Sequence, residues 1–338
     1  MKKLGNKKIW VRVAVGIVAV VVLAFVAFTV VKGIGKSRIS KNAAVKGDTS
    51  GDPFLYHDKK YHYNTDLVNI LCEGVDRDTS LTSDNAVGKA GQADVLFLIS
   101  LNTKTDEWKL YSIPRESMTV VRTLDEKGEL ADVQTMQITL QYAVGRNGAE
   151  SSELVGEAVS EIMCSIPIQR YAAINFNAFP EINDAVGGVT VTVEEESYDQ
   201  VIADRVKGYE VGSTITLKGE DAFTFVRERN SYVQESSSQR LLRQKQYVKA
   251  FVPAAKKAIK KDITLPLKLK NIMKDDMVTD ISLSEMAYLT TAFSKVSFDD
   301  IDIITLPGEE VLGNKYKEYY VDDEAVEDMV IDNFYQKE

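Results

Sequence analysis

The stretch "ADVLFLISLNTKTDEWKLYSIPRES", Ala93 to Ser117, decides the fold. Its opening "ADVLFLISL" is a near-continuous apolar run, the pattern of a strand covered on both faces, and "EWKLYSI" alternates as a neighbouring strand does. Upstream, "LVNILCEGV" repeats the buried-strand pattern. Downstream, helical spacing is expected over residues 137–144 and 152–166, the second with Leu154, Val155, Ala158, Ile162 and Met163 on one stripe. Then come a strand "RYAAINF", a helix "AFPEINDAV" stopped by Gly187 and Gly188, strands "VTVTV" and "STITL", and a helix "GEDAFTFVRER". A long helix is expected from about Ser237 to Lys261, kinked at Pro253, and further helices near Pro266, over "LSEMAYLTTAFSKV" and from Asp322 to Tyr335. Strands interleaved with helices predict an α/β fold: a central mixed sheet covered by helices on both faces, in three layers.

Charge divides the chain. It has 41 Lys and Arg against 50 Asp and Glu, a formal −9, yet residues 1–46 hold ten basic and no acidic groups. The remainder is therefore −19. Within the basic part, Val13 to Val31 runs nineteen residues without a charge, close to the ~20 needed to span a bilayer core as a helix. One transmembrane helix over 13–31 is expected, preceded by a basic cytoplasmic segment 1–12 and followed by an extracellular tether 32–65 and an extracellular catalytic domain 66–338 with a C-terminal extension. A cleaved signal peptide is the rival reading, with a usual apolar core of only ~7–15 residues. Basic residues flank both sides of the run, so charge counting ties, and the N-terminus is placed inside because the bulk of the chain then faces outward.

Only two histidines occur, His57 and His62, both ahead of the first core strand. Ser-His-Asp and Cys-His chemistry and a structural zinc site therefore do not fit, which leaves carboxylates, arginines and a metal. The two cysteines, Cys72 and Cys164, sit in apolar surroundings and read as small buried hydrophobes. A strongly acidic domain repels a nucleic-acid backbone, so no nucleic-acid partner is expected.

"GVDRD" places Asp76 in a loop past a strand end and "GQAD" places Asp94 at the entrance of the next strand, where α/β folds put ligands. "SIPRES" sets Arg115 and Glu116 just beyond a strand ended by Pro114. "VRERNSYVQESSSQRLLRQKQ" carries four arginines in seventeen residues: Arg227 and Arg229 end one helix, while Arg240, Arg243 and Gln244 share a face of the next. Guanidiniums gathered at a helix start suit a highly charged anion, pyrophosphate foremost, since their mutual repulsion otherwise costs stability. "QITLQYAV" and the helix around Phe251 offer apolar walls for a lipid.

In order and spacing, "NILCEGVDRD", the opening stretch, "RYAAINFNAFPEINDAVGGVTVTV", "GEDAFTFVRERN" and "QRLLRQKQ" resemble the LytR-CpsA-Psr proteins of bacterial cell envelopes, over roughly Asp66 to Val252. The resemblance implies an enzyme that takes a glycopolymer from an undecaprenyl-pyrophosphate carrier and joins it by a phosphodiester to peptidoglycan at the outer face of the cell membrane, with Mg²⁺. It implies Asp76 and Asp94 as metal ligands, and Arg115, Arg227, Arg229, Arg240, Arg243 and Gln244 on the pyrophosphate, to which Arg77 is added as a further candidate. Asp94 is taken as proton acceptor, with Asp76 or Glu116 as fallback. Three positions depart from the family pattern: Gln92 for Arg, Glu116 for Asp, and Ser237 for an acid. These keep two alternatives open: a non-catalytic membrane-anchored lipid-pyrophosphate binding or sensing protein, and a lipid pyrophosphatase.

Overall fold

The computed structural model describes residues 32–338 apart from 42, 48–52, 78, 85, 126, 231, 234, 235, 296–302 and 314. The expected transmembrane run and the basic N-terminus lie outside the described residues, and among the described residues no helix is long and apolar enough to cross a membrane.

Six strands form the central sheet: β1 (Leu67–Asp76), β2 (Gln92–Asn102), β3 (Trp108–Ile113), β4 (Arg170–Asn175), β5 (Met277–Thr279) and β6 (Ile303–Thr305), in the order β5-β4-β1-β2-β3-β6. The sheet is mixed: β1 runs parallel to β4 and antiparallel to β2, and β6 runs parallel to β3. Strand β1 shows why its sequence lacks alternation. Leu67, Leu71 and Val75 face one core with Val155, Ala158 and Val159 of helix α1 (Gly148–Ile162) and with Val330 of the C-terminal helix Asp323–Phe334. Val68 and Ile70 face another, with Tyr288 and Ala292 of the helix Leu283–Lys295. With both faces buried, every position favours an apolar side chain. Helices thus cover both faces, as expected.

A third apolar cluster lies to one side and positions the site. It unites Val189 and Val191, Phe225 of helix α2 (Glu220–Arg227) and Tyr247 of helix α3 (Ser236–Lys261), which continues through Pro253.

Three expectations are corrected. Much of the supposed tether packs on the domain: Ile39 is fully buried against Val68 and Leu101, Val45 pairs with Ile168, and Lys59–Tyr63 pairs with both Phe54–Tyr56 and the chain end Tyr335–Lys337. The polar composition there conceals aromatic packing, Phe54 and Tyr63 meeting Tyr335 edge-on at 5.1 and 5.6 Å. Of the residues expected as a helix over 137–144, Ile138–Val144 form a 3₁₀ segment whose Ile138 and Tyr142 lie in the main core, so this run is not a lipid wall. Cys164 is exposed, because the chain leaves α1 through left-handed Cys164 and Ser165 (φ 54° and 62°).

Candidate active site

A β-bulge aims Asp94. Gly74 lies opposite Val95 and Val75 opposite Ala93, so Asp94 is an extra residue on β2 with no partner across the ladder. A bulge re-aims a side chain that strict alternation would send elsewhere. Here Asp94 stands beside Val95 and Phe97, over the sheet face that α3 covers.

Around it the site assembles from distant segments. Pro114 ends β3, and Arg115 Nη1 donates to Asp94 Oδ1 at 2.5 Å while its Nε donates to Glu116 Oε1 at 2.9 Å. Thr139 Oγ1 donates to the same Asp94 oxygen at 3.3 Å. At the end of α2, Arg227 Nη2 reaches Asp76 Oδ1 at 3.2 Å, and its guanidinium lies over the Phe223 ring at 5.1 Å and the Phe176 ring at 5.9 Å. Cation–π contact with two rings steadies it.

Arg240 is the electrostatic centre. It makes no ion pair among the described residues. Its pKa falls to about 10, first through burial, then through repulsion from Arg115 and Arg229, with Glu116 and Asp94 offsetting part of this. Arg115 is driven the other way: burial opposes its charge, but Asp94 and Glu116 outweigh burial and raise its pKa. One arginine is thus neutralised by carboxylates and its neighbour lacks an anion.

Three adjoining cavities meet here. The first, about 290 Å³, is an apolar slot walled by Phe97, Ile174, Phe179, Phe223, Tyr247 and Phe251, with Asp94, Arg227 and Arg240 at its rim. Cys72 lines this slot, and burial pushes its thiol up to about 12. The second, about 220 Å³, shares Asp94, Arg240 and Gln244 with the first and adds Arg115 and Glu116. The third, about 380 Å³, shares Arg115 and Glu116 with the second and includes Arg229.

Asp94, Arg115, Glu116, Arg227, Arg229, Arg240 and Gln244 therefore border adjoining cavities, and Asp76 is tied to them through Arg227. Two expected residues do not. Arg243 is fully buried, donating to the carbonyls of Phe225 (2.9 Å), Ser197 (3.0 Å) and Glu228 (2.5 Å), with Asp199 at 3.8 Å. The helical turn gives the reason: at about 100° per residue, Arg243 sits roughly 60° to one side of Arg240 and Gln244 roughly 40° to the other, so Arg243 enters the Phe225–Tyr247 cluster while Gln244 faces the cavity. Arg77 follows Asp76 on an extended chain and points away, to Thr79 Oγ1 (2.7 Å) and Ser83 Oγ (2.9 Å). Sequence reasoning missed Thr139 and the Phe176–Phe223 platform. Phe223 stands four residues before Arg227 on α2, a spacing that makes them neighbours, so that signal was present.

Comparison with known proteins identifies the family and the fold. A family model described as the LytR_cpsA_psr family matches residues 27–333. A polyisoprenyl-teichoic acid–peptidoglycan teichoic acid transferase TagU of Oceanobacillus iheyensis is 28% identical over 267 residues, 77% of this chain and 73% of that protein. TagV of Bacillus subtilis, with the same described activity, is 26% identical over 317 residues, 90% and 74% of the two chains. The crystal structure of B. subtilis TagV superposes with a TM-score of 0.58 at 25% identity, covering 79% of this chain and 96% of that one. A structure of TagT bound to LIIa-WTA gives 0.58 at 21% identity, covering 85% and 94%, a likeness of fold. Since the match runs from residue 27 to residue 333, the chain belongs to the LytR-CpsA-Psr family.

Proposed function

We propose that this protein transfers a glycopolymer from a polyprenyl-pyrophosphate carrier to peptidoglycan, forming a phosphodiester; its TagU and TagV relatives are named polyisoprenyl-teichoic acid–peptidoglycan teichoic acid transferases. The observation that carries the reading is the unpaired Arg240 at the junction of an apolar slot and a polar cavity, flanked by Arg115 and Arg227. A molecule with hydrocarbon at one end and a diphosphate next to it matches that order of surroundings. Phosphoryl transfer spreads negative charge over several oxygens, so fixed cations supply most of the help. The lipid occupies the Phe97–Phe251 slot, the three arginines take the diphosphate, and Asp94 accepts the proton of the incoming hydroxyl.

Asp94 fits that role: Arg115 and Thr139 both occupy Oδ1, and among the described residues no hydrogen bond reaches Oδ2. Mg²⁺ fits Asp76 and Asp94 on donor chemistry. The described residues contain no cluster of three potential protein ligands, and Mg²⁺ characteristically takes one or two carboxylates with the rest from phosphate and water. Bound there, it would neutralise phosphate charge. We further propose that Val13–Val31 anchors the chain in the cell membrane with the domain outside.

The test incubates the full-length protein in detergent micelles with a lipid-pyrophosphate glycan, Mg²⁺ and peptidoglycan, and follows covalent glycan on the peptidoglycan. Transfer is expected, and Asp94→Asn should slow it about a thousandfold, within the range for losing a positioned acid–base group. Phosphate release without peptidoglycan would replace the reading with a pyrophosphatase. Tight lipid binding unchanged in Asp94→Asn, with no turnover in the parent, would replace it with a binding protein.

A further inference from the structure

The third cavity includes neither the apolar slot nor Arg240, yet it is built onto Arg115 and Glu116 of the second. Its inner end is Arg115 and Glu116, and its outer walls are Tyr232, Tyr316, Lys315 and Lys317. Tyr232 is 97% exposed and Tyr316 is 70% exposed, so two phenol rings stand largely unpacked beside the reaction centre. Arg229, Lys315 and Lys317 bring cations to this spot in a domain whose net charge is strongly negative.

The wall is fixed to the catalytic segment. Tyr316 and Lys315 lie in the turn of a hairpin, Gly308–Leu312 with Lys317–Val321. That hairpin is locked to the Pro-Arg-Glu stretch: Tyr319 N donates to Glu116 O at 2.9 Å, Ser117 bridges Tyr319, and Gln137 Nε2 donates to Lys317 O at 2.7 Å. Lys317 is steadied by Glu310 at 2.5 Å. A ligand lying on the tyrosines is therefore held in register with Arg115, Glu116 and Asp94.

Reaction geometry says which ligand. In phosphoryl transfer the attacking and leaving oxygens lie roughly in line through phosphorus. On the reading proposed above, the leaving lipid phosphate belongs to the side of the apolar slot. The nucleophile then has to arrive from the opposite side, through the cavity that shares Arg115 and Glu116. We infer that the Tyr232–Tyr316 cavity is the acceptor subsite, taking a peptidoglycan glycan strand with sugar rings laid on the two phenols and acidic peptide arms against Lys315, Lys317 and Arg229. Flat aromatic faces suit the C–H faces of sugar rings, and the phenol hydroxyls suit their polar edges. In the step, the acceptor hydroxyl oxygen bonds to the phosphorus that carries the polymer. The bond from that phosphorus to the lipid phosphate oxygen breaks, and the lipid monophosphate leaves with the electron pair. The hydroxyl proton goes to Asp94. This inference rests on the proposed transferase reading and specifies which of its two substrates lies where.

The experiment measures transfer by the full-length protein in micelles while varying donor and uncross-linked peptidoglycan separately, for the parent, Tyr316→Ala, Tyr232→Ala and Lys315→Glu. These side chains are exposed, so thermal unfolding should match the parent. The KM for peptidoglycan should rise about tenfold or more, equivalent to ~1.4 kcal/mol, while the KM for the donor stays put. A rise in donor KM alone would show that the donor's own polymer fills the cavity, and no change in either would show that no sugar binds there. A second arm reads calorimetric binding of a soluble peptidoglycan fragment without donor. Binding lost in Tyr316→Ala supports the subsite even if transfer is never seen, which would overturn the transferase reading alone. No binding by the parent overturns the subsite.

Discussion

Arg240 and Arg243 stand three residues apart on one helix, and their removal should have opposite consequences. Arg240 is held at about 10 against an ordinary arginine value of about 12.5, which at ~1.4 kcal/mol per pH unit is a cost of at most about 3.5 kcal/mol for keeping it charged. The sign follows from proton binding. A base with a depressed folded pKa binds fewer protons folded than unfolded between the two values, so the cost is in full force below pH 10 and fades only above it. Arg240→Met removes the charge and keeps the stem, so the protein should become more stable by about 1–3 kcal/mol at neutral pH. Donor binding should weaken by about 30-fold or more, the worth of a charge-assisted phosphate contact. Arg243→Met instead strands three carbonyls and leaves the buried Asp199 uncompensated, for a loss of about 3–5 kcal/mol. Denaturant unfolding of the full-length chain in micelles, followed by circular dichroism, measures both. If Arg240→Met destabilises by more than about 1 kcal/mol, or Arg243→Met does not destabilise, the division of one arginine for the ligand and one for the fold is wrong.

Three further outcomes are expected. Glu73 is 3% exposed, with Ser152 Oγ donating to it at 2.5 Å, and burial lifts its pKa from 4.5 to about 8. Its contribution is thus complete below pH 4.5 and lost as pH rises through 8, so unfolding free energy should fall by roughly 3 kcal/mol between pH 4.5 and 7, and Glu73→Gln should flatten that slope. Gly91 has φ 96°, and a Cβ there would lie 2.8 Å from Asp76 O and 3.0 Å from Arg77 Cβ. Gly91→Ala should therefore cost about 1–3 kcal/mol and lower transfer by displacing Asp76, an effect that unchanged kinetics would contradict. Finally, a maleimide titrated onto the native protein should modify exposed Cys164 first, while half-buried Cys72, with its thiol pushed up to about 12, should react more slowly; equal native rates would refute this order.

Much of this molecule was legible in its sequence, because strands buried on both faces and helices with one apolar stripe write their periodicity directly into the chain. Asp94 was found as a strand-entrance acid, but the bulge that aims it was not, since a bulge is a relation between two strands and neither alone records it. The arginine cluster was found as a cluster. Its sorting was hidden, because Arg240 and Arg243 differ only in which side of α3 the Phe225–Tyr247 cluster occupies, and that cluster is assembled from segments up to about sixty residues apart. Arg77 was misassigned for a simpler reason: neighbours on an extended chain point to opposite sides, so Asp76 meets Arg227 while Arg77 turns to Thr79 and Ser83. The hairpin carrying Tyr316 went unread because one strand is exposed throughout and the other only half-buried, so neither carries a core pattern.

The position of residues 32–39 sets a height. This short helix enters the domain beside Leu101, with Lys36 Nζ donating to Thr103 O, while Asp76 and Asp94 lie at the far end of the same strands. Ten residues at ~3.3 Å each make that span about 30 Å, as much as the hydrocarbon thickness of a bilayer. In sequence nothing separates the uncharged run ending at Val31 from the helix already formed at Lys32. For a chain held in a membrane by that run, the tilt of the sheet then governs how far a lipid tail has to rise to reach the slot, and posture becomes as much a part of substrate capture as any side chain.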